Sequence, residues 1–184
     1  MKKAKRDISN WQLLEKKRLC GNNWIEVQVY KLRTPAGKKV NYTIVERKND
    51  FSVAIPYENG KFYMIRQYRP AAGVVNLEFP MGYVAGKDPL GMAKQELKEE
   101  AGILANKWRK LGEVYPSIGV FTQKAHIFLA TELSFGEQDL EENEFIEMVE
   151  IKEEKFLEFV IKGEIKGGVT LAAYSLFRLH KDRT

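Results

Sequence analysis

Gln95-Glu96-Leu97-Lys98-Glu99-Glu100-Ala101-Gly102-Ile103 sets three glutamates on little more than one helical turn. Just upstream, Asp88 before Pro89 supplies an N-cap and a first-turn proline, Leu90, Ala93, Leu97 and Ala101 recur at helical spacing, and Gly102 is a natural stop. The spacing predicts a helix over 89–101. On it Glu96, Glu99 and Glu100 stand at i, i+3 and i+4, within an arc of roughly 100°. Such crowding costs a few tenths of a kcal/mol per pair, to be offset by full solvation or by a bound cation. Glu96 and Glu100 border the apolar stripe of Ala93 and Leu97, whereas Glu99 points away. A solvated acidic face is the plain reading of an isolated Glu-x-x-Glu-Glu, and a metal-binding edge is the sharper one.

Strand signals surround this helix. Ile25, Val27 and Val29 alternate with Glu26 and Gln28, and Val40, Tyr42 and Ile44 read similarly after the Thr34-Pro35-Ala36-Gly37 turn, which predicts an N-terminal antiparallel pair. Phe51 to Pro56 and Lys61 to Tyr68 flank Glu58-Asn59-Gly60, where Asn-Gly suits a tight hairpin turn. Further strands are expected at 74–79, 110–115, 125–133 and 145–151, and helices at about 153–162 and 169–180, with Gly163, Gly167 and Gly168 between them. No repeat or Pro/Gly/Ser linker divides the chain. Strands, a central helix, strands and closing helices make this an α+β chain, naturally an α/β/α sandwich.

Composition narrows the function classes. With 44% hydrophobic and 30% charged residues the chain is globular rather than disordered. No apolar run approaches the roughly 18 residues of a membrane span, and Met1 to Asp7 leads into no signal-peptide core, so no membrane association and a cytoplasmic location are expected. Cys20 stands alone beside only His126 and His180, which leaves no set of soft ligands for zinc. A metal here must be held by oxygen, and carboxylate clusters of this kind suit magnesium or manganese bridging substrate phosphates. The net charge of +5 is uneven: Met1 to Cys20 carries seven Lys or Arg against two acids, and Gly136 to Lys155 holds nine acids. A basic terminus of this size reads as a solvated arm, so no nucleic-acid partner is expected.

The stretch from Glu96 to Ile103 resembles the last eight positions of the box of the Nudix hydrolase family, and Gly82 stands near its opening glycine. The resemblance extends to the ADP-ribose pyrophosphatase group through Arg66-Gln67-Tyr68-Arg69, Glu78-Phe79-Pro80, Pro116-Ser117-Ile118-Gly119, Glu142-Asn143-Glu144-Phe145-Ile146 and Gly163-Glu164-Ile165-Lys166. Three departures stand out: Lys87 where the box has its first Glu, Gln95 where it has Arg, and a gap of four residues instead of five between Gly82 and Lys87. Gln123 also occupies a position where the resembling enzymes often carry Glu. The box is degenerate on its orienting side and intact on its metal side. The resemblance implies a Nudix-type α/β/α sandwich with a mixed sheet over residues 49–184. It also implies an N-terminal antiparallel β extension over 1–48 that forms a homodimer by strand exchange.

The same resemblance implies the roles. Glu96 and Glu100 would bind magnesium or manganese, Glu99 would assist, and the backbone carbonyl of Met81 would complete the shell. Glu142 is the candidate base and Glu144 a further ligand, with Glu141 the rival and a merely solvated acidic loop the alternative. Arg66 and Arg69 end an apolar strand, where guanidinium groups can clamp phosphate oxygens, or form surface salt bridges instead. Trp24 and Tyr30 offer rings for a base or ribose, or serve a core or interface role. His126, in an apolar strand, reads as a structural histidine. The implied activity is hydrolysis of the pyrophosphate of a nucleoside diphosphate sugar, ADP-ribose first and GDP-mannose next. The alternative is a catalytically weak domain that binds such a ligand as a sensor, and no appended DNA-binding module is seen before Trp24 or after His180 to transmit its signal.

Overall fold

The computed structural model describes residues 8–84, 86 and 88–183. Lys87 and the basic Met1 to Asp7 lie outside them. The chain divides into two compact units, one of residues up to Asn49 with Ser117–Gln123, the other of Asp50–Pro116 with the residues from Lys124 onward.

The first unit is an antiparallel sheet of β1 (Gln12–Gly21), β2 (Ile25–Arg33) and β3 (Lys39–Arg47) in that order. The expected pair is β2 and β3, joined through a turn in which Gly37 has φ 80° and its N–H donates to Thr34 O at 2.8 Å. β1 is an addition that periodicity does not reveal, because Leu13, Leu14 and Leu19 are scattered among Lys16, Lys17 and Arg18, and all ten residues are exposed. It is a strand because it pairs with β2 from Gln12↔Arg33 to Gly21↔Glu26, reinforced by Arg18–Glu26 at 2.7 Å. The segment 117–123 joins β3, where Val45 N donates to Val120 O at 2.9 Å and Tyr42 OH to Gly119 O at 2.7 Å.

The second unit holds β4 (Phe51–Glu58), β5 (Lys61–Arg69), β6 (Val74–Glu78), β7 (Met81–Tyr83), α1 (Pro89–Ala101), β8 (Ile103–Val114), β9 (Ala125–Phe135) and β10 (Ile146–Lys152). A 3₁₀ turn at Glu153–Lys155 then leads into α2 (Phe156–Ile161) and α3 (Gly168–Lys181). The sheet runs β10-β5-β4-β9-β8, with β6 on β5 and β7 on β4. It is mixed because β4 and β9 are parallel while the other pairs are antiparallel.

Period-two alternation sorts the core into two layers. Val53, Ile55, Phe62, Met64 and Ile127 pack with Phe156, Ala173 and Phe177 of α2 and α3. Ala54, Tyr63, Ile65, Phe128 and Ala130 pack with Ala93, Leu97 and Ala101 of α1. This is the expected α/β/α sandwich, and it explains why Phe51 to Pro56 is nearly unbroken apolar sequence: a central strand is buried on both faces.

One detail of the sheet positions the site. Asn59 and Gly60 make the expected turn, with φ 51° and 76°, yet β4 and β5 pair only at Tyr57↔Phe62 and Glu58↔Lys61. Beyond that point they splay, and the chain after β6 enters the gap. Ala54 N donates to Pro80 O at 3.0 Å, and Val53 pairs with Met81. β7 is thus wedged under α1 at the middle of the sheet.

Candidate active site

The acidic helix forms as its caps direct. Asp88 accepts from Gly91 N at 2.9 Å, and Gly102 closes the helix in the left-handed conformation at φ 66°. Between these ends the Ala93–Leu97–Ala101 stripe is buried, which turns Glu96 and Glu100 toward β7.

Glu100 is buried, with 5% of its surface exposed, and its Oε2 accepts from Met81 N at 2.9 Å. Burial pushes its carboxyl up to about 9, and the nearby Glu96 charge pushes the same way; the Met81 N–H and Arg69 oppose the shift. Glu96 is half-buried and lies against Gly82 so closely that a Cβ built on that glycine would fall inside the Glu96 carboxylate. A side chain at 82 would make the Glu96 carboxylate swing aside from this position. Glu99 is half-buried rather than fully turned out, and it accepts from Gln95 Nε2 at 2.8 Å. The uncharged Gln95 thus holds the middle carboxylate by a hydrogen bond.

Glu78, quoted in sequence only as part of a motif, is a buried member of this neighbourhood. It accepts from Gln67 Nε2 at 2.7 Å, Asn76 Nδ2 at 2.7 Å and Arg69 Nε at 2.8 Å, and Arg69 pairs with it a second time through its terminal nitrogen. Its charge also raises Glu100. The signal that could have found it is an acid at the end of the apolar run Val74-Val75-Asn76-Leu77, where an ionised side chain must be paired to be buried. Arg69 is therefore held to Glu78, while Arg66 pairs with Glu147 at 2.9 Å and Glu164 at 3.6 Å.

The loop before β10 is built differently. Glu142 is exposed, and Glu144 turns back to accept from Glu141 N at 3.0 Å while its own N–H donates to Glu141 O at 2.9 Å. The loop is tied to the backbone of α1 by the Asp139 N–H, which donates to Glu99 O at 3.0 Å, and by the Gln138 side chain, whose Nε2 donates to Glu100 O at 2.5 Å. Its glutamates are not hydrogen-bonded to the helix cluster among the described residues. Trp24 belongs to the first unit, exposed in the turn between β1 and β2, where its N–H donates to Asn22 Oδ1 at 2.8 Å. Tyr30 of the same unit is hydrogen-bonded to Glu46, and Gln123 is buried with its Nε2 donating to Asn49 O at 2.6 Å. His126 is buried between Asp50, at 3.0 Å from Nε2, and Glu113, at 3.3 Å from Nδ1 without hydrogen-bond geometry.

The donor chemistry fits a hard divalent cation. Glu96 and Glu100 are oxygen donors, and the buried Glu100 has one backbone N–H to compensate its desolvation, so a cation would relieve both burial and mutual repulsion. No three acidic or imidazole side chains converge into a closed cage among the described residues. An open set of two carboxylates is what magnesium takes when phosphate oxygens and water complete its shell.

The chain has known relatives in sequence and in fold. The model of the NUDIX domain matches residues 47–164. The chain is 31% identical to an ADP-ribose pyrophosphatase of Bacillus subtilis over 169 residues, covering 90% of the chain and 91% of that relative. It is 27% identical to a GDP-mannose pyrophosphatase of Yersinia pestis over 177 residues, covering 88% of the chain and 89% of that relative. A crystal structure of an ADP compounds hydrolase superposes with a TM-score of 0.84 at 19% identity, covering 95% of each chain, and so shares the fold. With a family match over well over half its length and a relative this similar along nine-tenths of it, the chain belongs to the Nudix hydrolase family.

Proposed function

We propose that this enzyme hydrolyses the pyrophosphate of a nucleoside diphosphate sugar, with ADP-ribose the leading substrate and GDP-mannose next, releasing a nucleoside monophosphate and a sugar phosphate. The observation that carries this reading is the α1–β7 corner, where Glu96 rests on Gly82 and Glu100 on Met81 N, in a chain similar along nine-tenths of its length to an ADP-ribose pyrophosphatase.

Glu96 and Glu100, with the Met81 carbonyl, are the residues that would hold magnesium or manganese, and Glu144 is the further ligand from the loop. When bound, the ion supplies positive charge against the diphosphate and acidity to the water that attacks phosphorus in line. Glu142 accepts that water's proton. Glu99 assists, steadied by Gln95. Arg66 exchanges its partly exposed carboxylate partners for phosphate oxygens with little loss, since exposed ion pairs are worth at most about 1 kcal/mol. Arg69, held by Glu78, offers its remaining N–H groups from a fixed position. Trp24 supplies a ring for the base or ribose.

The reading includes a homodimer. In the first unit Gln28 and Gln123 are the only buried side chains among the described residues, while Trp11, Leu13, Leu14, Leu19 and Trp24 are exposed. A three-stranded sheet so bare needs a covering layer, and a second copy supplies it through the 1–48 extension. No described helix is long and apolar enough to cross a membrane, and a lone, exposed Cys20 suits the reducing cytoplasm.

The test is a magnesium-dependent release assay across ADP-ribose, GDP-mannose, UDP-glucose, nucleoside triphosphates and coenzyme A. A nucleotide sugar should show the highest kcat/KM, by about tenfold to several hundredfold over triphosphates at about 1–3 kcal/mol per well-placed contact. Faster cleavage of triphosphates than of every nucleotide sugar overturns the assignment.

A further inference from the structure

The last turn of α1 is closed by two sets of donors. Its own cap, the Gly102 N–H, serves Leu97 O and Lys98 O. The next two carbonyls, which a helix leaves without an internal partner, accept from the loop before β10: Asp139 N donates to Glu99 O at 3.0 Å and Gln138 Nε2 to Glu100 O at 2.5 Å. Past the cap, Gly136 N donates to Gly102 O at 2.7 Å. The approach is so close that a Cβ on Gly102 would stand 2.6 Å from Gly136 O and 3.0 Å from Gln138 N.

The two helix carbonyls served by the loop belong to Glu99 and Glu100, two of the three glutamates on the metal edge. Of these donors Gln138 is the one that uses its side chain, and its amide nitrogen carries two N–H groups. One reaches Glu100 O, and the same nitrogen lies 3.5 Å from the carbonyl of Ile146, the first residue of β10. A single amide thus joins the end of α1 to both ends of the excursion from Asp139 to Phe145, which carries Glu142 and Glu144. Gln138 is exposed, so its amide can be removed without opening the core.

We propose that Gln138 is a positioning residue for the hydrolysis: its amide fixes where the loop stands on α1, and so sets the approach of Glu142 and Glu144 to the corner of Glu96 and Glu100. The proposal rests on the roles given above to Glu142 and Glu144. Gln138 acts through the loop and touches neither substrate nor ion. A carbonyl needs a donor, so an ionised glutamate of the same length cannot replace it.

A double-mutant cycle at saturating magnesium, joined to amide exchange of the isotope-labelled full chain, tests this. In Gln138→Ala kcat should fall about tenfold with KM little changed, because a misplaced acid is felt in the transition state. Gln138→Glu should lose at least as much. In the Glu142→Gln background Gln138→Ala should cost less than about a further twofold, since both substitutions disable one device. The Asp139 amide should exchange at least about tenfold faster in Gln138→Ala, with the α1 amides as protected as in the parent. Parent kcat in either Gln138 variant overturns the proposal. Losses that multiply in full, or faster exchange along α1 as well, also overturn it, for Gln138 is then a cap of the helix and no more. If Glu142→Gln itself keeps the parent rate, the base assignment falls separately; positioning by Gln138 then stands only if its loss fails to multiply with that of Glu144→Gln, and falls if Glu144→Gln also keeps the parent rate.

Discussion

Two regions carry the carboxylates of the proposed site, and they are built in opposite ways. At the α1–β7 corner Glu96 leaves no room for a side chain at 82, and Glu100 is buried on a backbone N–H. In the loop before β10 Glu142 is exposed and Glu144 commits its carboxylate to the turn it belongs to. The corner is set by packing before any ligand arrives, and in consequence its carboxyl is driven up to about 9. The loop is anchored to α1 through the Asp139 N–H and the Gln138 side chain. The corner carboxylates pack against β7, whereas the Glu142 carboxylate lies open to solvent.

The largest expected effect tests the rigid side. Glu100→Gln keeps shape and deletes charge, so kcat/KM should fall on the order of a hundredfold or more if the ion supplies several kcal/mol of transition-state stabilisation. Wild-type turnover in this variant, or full turnover of the parent in excess chelator, breaks the distinction at the corner.

On the loop side, Glu142→Gln should lower kcat by about a hundredfold while KM changes little, because a base acts mainly in the transition state. Glu144→Gln should also raise the magnesium concentration needed for half-maximal rate. If both variants keep normal rates, the base lies elsewhere and Glu141 becomes the residue to replace.

Gly82→Ala sharpens the comparison at smaller amplitude. Its methyl group must displace the Glu96 carboxylate, so activity should drop about tenfold while stability changes by less than about 1 kcal/mol, because the carboxylate can swing aside. Native activity and unchanged magnesium affinity in the Gly82→Ala variant would show that Glu96 has room to spare.

The gentlest test is a pH slope. Glu100 has a folded-state value of about 9 against 4.5 for the free side chain, so the metal-free native protein keeps a proton that the unfolded chain releases. The stability this confers is fully present below about 4.5 and is lost as pH rises through about 9. Denaturant unfolding in chelator should therefore show stability declining across that window, with a flatter slope in Glu100→Gln. Magnesium should oppose the decline because it selects the ionised form. Parallel slopes in the two proteins would mean that Glu100 is not the buried acid it is taken to be.

Much of this architecture was legible in the chain because the forces concerned are local. Asp88, Pro89 and Gly102 bound α1 through capping, Asn59-Gly60 makes a turn through its backbone angles, and the i, i+3, i+4 spacing puts three glutamates on one face through helical geometry alone. Even the nearly unbroken apolar run of β4, interrupted by Ser52, announces burial on two sides. Other features depended on partners far away in sequence. β1 has no periodicity and is a strand only because β2 pairs with it. β7 exists because β4 and β5 splay and leave an edge for three residues to fill. Glu99 is half-buried where a helical wheel alone turns it outward, and Arg66 and Arg69 take carboxylate partners that their own segment does not name. The spacing of Glu96, Glu99 and Glu100 is a property of the sequence. That Glu100 alone of the three is buried was decided by tertiary packing, since desolvation is set by whatever the fold lays over a side chain and not by its neighbours along the helix.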